Sequence, residues 1–181
     1  MHKQPAFDHP LLKNHKIQLA IVRSKFRPNV VFKGIAATIS VDSPVVKANQ
    51  SSTAQVWIQN GDPSIVNRLE VGWMVSPALF GDGVPRSFTN WKDYVTLDWW
   101  FHDATHNITV GYWPKTLFPL LALGASQVTW GGSTMGQPNG ASPEMGSGRF
   151  PGGDFRHGCI NNMLVVDTKN YWVEPAGVLY Y

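Results

Sequence analysis

Apolar and polar residues alternate with a period of two along most of this chain, in runs bounded by glycine, proline and asparagine that recur about every ten residues. The pattern predicts strands over residues 17–22, 30–41 (with Gly34 as a bulge), 54–59, 68–76, 86–97, 99–102, 107–113, 127–130, 160–167 and 171–173. Within 68–76, Leu69, Val71, Trp73 and Val75 share one strand face, which leaves Glu70, Gly72 and Met74 on the other. Glu70 is therefore turned away from the core-forming row and is expected on a groove. Only residues 114–123 look helical, with Pro114 in the first turn, Gly124 as the stop and Pro119 keeping the helix short or distorted. Residues 136–154 are glycine-rich and read as loop. Many short strands and one short helix make an all-β fold, an antiparallel β-sandwich of two packed sheets.

The 181 residues, 43% hydrophobic and 15% charged, suit one well-buried domain. A formal charge of +3, spread without a basic run, argues against a nucleic-acid partner. No window reaches the roughly 18 apolar residues of a membrane span, and the opening MHKQPAFDHP lacks the apolar core of a signal peptide. The single cysteine, Cys159, reads as a small buried apolar residue. His102 and His106 have i, i+4 spacing but no Glu between them, so neither a metal site nor any cofactor is expected. Asn49-Gln50-Ser51 and Asn107-Ile108-Thr109 are acceptor triplets for N-glycosylation in a chain that meets the secretory pathway.

Candidate chemistry concentrates in two segments. LEVGWMVSP, from Leu69, places one carboxylate on a strand; VTWGGS, from Val128, has the form of a strand and turn that could oppose it, yet it carries no acid. These segments, together with KQPAFDHPLLKNHKIQ from Lys3, TVGYWP from Thr109 and EMGSGRFP from Glu144, resemble in the same order the motifs of the plant neprosin family. The resemblance implies a secreted glutamic endopeptidase that cuts around proline, built as an activation peptide followed by a β-sandwich. It makes residues 1–16 a remnant of the activation-peptide motif and 17–181 the neprosin-like domain. The family's E-x-G-W glutamate maps onto Glu70. The acids of its V-E-W-G-G-E strand map onto Thr129 and Ser133, with Ser133 at the catalytic one. Glu144, where the family usually shows glutamine, is the one candidate substitute acid, and an aromatic cleft in the family points to Trp73, Trp113 and Trp130 as substrate-binding residues.

Between Tyr94 and Trp99 the chain jumps over a family region that bears a strand and a cysteine pair, so it reads as a shortened, divergent relative. Two hypotheses follow. The chain is a weakly active or inactive relative of proline-directed glutamic endopeptidases, or it is a non-catalytic binding module for proline-rich peptides or cell-wall polymers; the partners expected are proline-containing peptides or proteins.

Overall fold

The computed structural model describes residues 15–25, 30–62, 64–92, 98–103, 105–149 and 160–180. Cys159, residues 1–14 of the segment expected to be an activation-peptide remnant, and the end of the strand expected over 86–97 lie outside them. The alternating runs form Lys16–Ser24 (β1), Gly34–Ile39 (β2), Ser51–Asp62 (β3), Ile65–Val75 (β4), Arg86–Lys92 (β5), Trp99–Asp103 (β6), Ile108–Trp113 (β7), Gln127–Gly136 (β8), Ile160–Val166 (β9), Trp172–Val173 (β10) and Val178–Tyr180 (β11). They pair as a six-stranded sheet in the order β11-β1-β8-β3-β4-β5, a three-stranded sheet β10-β9-β2 and a two-stranded sheet β6-β7, with antiparallel pairing throughout.

One face of the large sheet meets the three-stranded sheet. Val56, Ile58, Leu69, Val128 and Trp130 supply the large-sheet side of the core and Val165 the other, with Phe118, Leu121 and Ala125 closing one end. Burying each large apolar side chain is worth about 1.5–3 kcal/mol, so this layer dominates the stability of the domain. Two indoles tie the layers together. Trp130 Nε1 donates to the Ala36 carbonyl at 3.1 Å, and Trp73 Nε1 donates to the Ser40 carbonyl at 2.7 Å.

Three local expectations change. Residues 114–123 form two 3₁₀ turns, Lys115–Leu117 and Pro119–Leu121, instead of one helix. Pro119 has no N–H to continue the ladder, and Phe118 before it is pushed to φ −139°, ψ 79°. The bulge expected at Gly34 falls between Ala36 and Thr38. Gly34 instead permits close packing, since a Cβ there would stand 2.8 Å from Val166 Cγ2. The strand expected to end at Trp130 runs on to Gly136, because β1 on one side and β3 on the other pair with it through the Gly131-Gly132 step. The four-residue helical turn Pro77–Phe80 (α1) closes β4, and Gly81 at φ 81° ends it. Among the described residues no helix is long and apolar enough to cross a membrane.

Gly131, Gln55 and Gly72 lie in one cross-strand row on β8, β3 and β4. A Cβ on Gly72 would run into the Ala54 carbonyl oxygen and stand 2.6 Å from Gln55 Cα, and one on Gly131 would stand 2.7 Å from Ile21 Cα. Backbone leaves no space at either position, so the sheet closes here only with glycine. Gly72→Ala is expected to cost at least about 3 kcal/mol in chemical denaturation, at the upper end of what overpacking costs. A loss under about 1 kcal/mol would contradict this packing.

Candidate functional site

Register decides what stands beside Glu70. Arg23 pairs with Thr129, Thr129 with Trp57, Trp57 with Glu70 and Glu70 with Asn90, so one straight row crosses β1, β8, β3, β4 and β5. Arg68, two residues before Glu70, projects from the same face. Glu70 is only 1% exposed, so it occupies the face expected from the alternation but is buried there, without the exposure of an open groove. Trp57 (2%), Gln55 (1%), Thr129 (0%) and Ser133 (1%) are buried on the same face.

The charged pair is intimate. Arg68 Nε contacts Glu70 Oε1 as an ion pair, and the Arg68 guanidinium lies 4.3 Å from the centroid of the Trp57 ring. Apart from this ion-pair contact, neither Glu70 oxygen has a hydrogen-bond partner among the described residues. Gln55 Nε2, Trp57 Nε1, Arg68 Nη2 and Thr129 Oγ1 are likewise buried without a hydrogen-bond partner there. An unmet buried polar group costs about 1–3 kcal/mol, so such a concentration beside Glu70 is not what apolar core packing alone would produce. Burial raises the Glu70 pKa above the ordinary carboxylate value, and the adjacent Arg68 charge opposes that rise without cancelling it. For Arg68 burial lowers the pKa, Glu70 raises it and Arg23 adds a smaller lowering push.

The remaining candidates separate. Ser133 shares the Glu70 face but aligns with Thr53 and, across β3, Met74. It stands four residues beyond Thr129, about 13 Å along the strand. Its hydroxyl is 2.7 Å from Thr53 Oγ1, and its N–H donates to the same oxygen at 3.2 Å, so it is already satisfied. Thr129, two strands from Glu70 at about 4.8 Å per strand, is the β8 residue that stands level with it. Glu144 is exposed on the 141–149 loop. Met145 of that loop abuts Gly132, which belongs to the opposite face, so Glu144 is not brought into the Glu70 row.

Trp73 and Trp130 are also on the opposite face, 3% and 0% exposed, and they act as core residues with their indole N–H groups bonded across the sandwich. Trp113 is half-buried and packs against the same core. The period of two requires this: an odd offset from Glu70 or Thr129 sends a side chain to the other side of the sheet. His106 Nδ1 lies 2.6 Å from Asp103 Oδ2 and His102 Nδ1 lies 3.4 Å from Thr109 Oγ1. Among the described residues no group of three or more His, Cys, Asp or Glu side chains is placed to hold a metal. Arg68, Trp57 and Gln55 were not among the residues singled out from sequence. Arg68 could have been, from its two-residue offset to Glu70; Trp57 and Gln55 needed the strand register.

Removing either member of the pair leaves a buried charge unpaired, so Arg68→Leu and Glu70→Leu should each cost about 3–5 kcal/mol, and the double replacement much less than their sum. Equal additivity in a double-mutant cycle would remove the pair from the account. The pH dependence has a definite sign. A carboxyl whose folded pKa lies above its unfolded value stabilises the fold at low pH, and that contribution is lost as pH rises through the folded pKa. Arg68→Leu pushes Glu70 further up, so this variant should gain stability on acidification from neutral pH, while the double variant should lack that gain.

Comparison with known families returns the neprosin family model at residues 48–96 and again at 90–180. The two segments run from just before β3 to the end of β11, and they include Glu70 and the whole of β8. They overlap at 90–96, beside the jump between Tyr94 and Trp99 noted in the sequence. The chain belongs to the neprosin family.

Proposed function

We propose that this chain is a degenerate member of a glutamic-peptidase lineage, with at most trace hydrolysis of proline-containing peptides. One observation carries the reading: the residue level with Glu70 on β8 is Thr129, and the charged group in contact with Glu70 is Arg68, so among the described residues no second acid faces the first. Hydrolysis by two carboxylates needs one ionised to take a proton from water and one protonated to supply it. A threonine or serine hydroxyl cannot exchange a proton usefully at working pH, and Arg68, which only partly opposes the rise that burial imposes on the Glu70 pKa, cannot serve as the second acid. Losing a positioned acid or base costs about 10² to 10⁴ in rate.

A second reading, a binding module for proline-containing segments, draws support from the kinds of atoms left unmet around Glu70. Gln55 Nε2, Trp57 Nε1 and Arg68 Nη2 are all donors, and since they are buried here a peptide would reach them only by displacing what covers this face. A proline-rich segment offers carbonyl acceptors and few N–H groups, and it is already extended, so it loses little entropy on docking.

Cleavage of a proline-containing peptide at acid pH tests the first reading. The unaltered chain should show no more than trace turnover. Thr129→Glu, which puts an acid level with Glu70, should gain on the order of 10² or more, Ser133→Glu should gain less, and adding Glu70→Gln to either should abolish the gain. Substantial and equal cleavage by the unaltered chain and by Glu70→Gln would overturn the proposal. Retention of the peptide without cleavage, weakened by Trp57→Phe, would favour the binding module.

A further inference from the structure

The two acceptor triplets of the sequence meet different fates in the fold. An N-glycosylation site needs an asparagine amide and, two residues on, a hydroxyl, both able to enter the transferase, and it needs solvent for the sugar afterwards. Asn49-Gln50-Ser51 runs into the sheet. Gln50 is 6% exposed and Ser51 1%. Gln50 is clamped at both ends of its amide: Lys47 N donates to Oε1 at 3.0 Å and Nε2 donates to the Ala141 carbonyl at 2.9 Å. Ser51 opens β3 and pairs with Met135 of β8. Presenting this triplet to an enzyme requires unzipping the central strand.

Asn107-Ile108-Thr109 has the opposite setting. Asn107 ends the turn between β6 and β7 in the left-handed region at φ 51°, a conformation asparagine adopts readily. Every residue from Thr105 to Val110 is exposed. The Thr109 hydroxyl has one long contact, 3.4 Å to His102 Nδ1, which a transferase pocket can easily replace. The outer side of the same hairpin is apolar. Ile108, Val110, Tyr112 and Trp100 are 55%, 59%, 52% and 63% exposed, and the Trp100 and Tyr112 rings sit 4.8 Å apart. An uncovered apolar stripe of this kind is an aggregation liability that a bulky hydrophilic group at the hairpin tip relieves.

We infer that Asn107 is an N-glycan acceptor and that Asn49 is not. The donor class is a lipid-pyrophosphate-linked oligosaccharide. Asn107 Nδ2 forms a bond to the sugar's anomeric carbon, the bond from that carbon to the pyrophosphate oxygen breaks, the amide gives up one proton, and lipid pyrophosphate leaves. The inference is independent of whether Glu70 supports catalysis.

The test is secretion of the full chain behind a cleavable leader from eukaryotic cells, with intact mass measured before and after enzymatic glycan release. One glycan is expected on the unaltered chain. It should be lost in Asn107→Asp and, independently of any change at the asparagine, in Thr109→Val; it should be retained in Thr109→Ser and in Asn49→Asp. A secreted chain without a glycan, or a glycan that survives both Asn107→Asp and Thr109→Val, or one lost in Asn49→Asp, overturns the inference.

Discussion

The uninterrupted antiparallel register of β3 between β4 and β8 governs both the core and the candidate site. Trp57 is bonded in register to Glu70 on one side and to Thr129 on the other, and next to that row Val56 stands between Val71 and Trp130. Because side chains alternate strictly, a slip of one residue would drive Glu70 and Arg68 between the sheets and turn Trp130 and Leu69 out. The apolar packing that excludes such a slip is worth far more than any contact the polar face makes for itself. The site is held in place by the core on the other side of its own sheet.

That arrangement creates an electrostatic problem at Glu70, which is 1% exposed beside an arginine 8% exposed. Taking two charges out of water costs several kcal/mol each, and their attraction offsets this fully only with good geometry and satisfied hydrogen bonds. Here the ion pair is in contact, yet among the described residues donors and acceptors around it lack partners. Core packing alone would favour apolar residues at these positions. Arg68 supplies a positive charge against Glu70, so the pair is held by its own attraction and by the apolar packing on the other side of the sheet.

Glu70's strand face was legible in the sequence, because Leu69, Val71, Trp73 and Val75 have to lie together. The sandwich followed from the same alternation, and the family from five ordered motifs, four of which lie within the family match over 48–180. The helix over 114–123 was only half legible: Pro119 warned of distortion, and the chain resolved it as two 3₁₀ turns.

What the sequence by itself determined was local: which residues extend, which face of its own strand each side chain takes, and that the VTWGGS strand carries no acid. Only the tertiary structure decided which β8 residue stands opposite Glu70, that Trp73 and Trp130 belong to the core, and that Glu70 is buried against Arg68. The physical reason is range. Alternation is a property of one strand and can be read along it, whereas the pairing of Trp57 with Thr129 joins segments far apart in the chain and is set by the summed packing of the whole sheet.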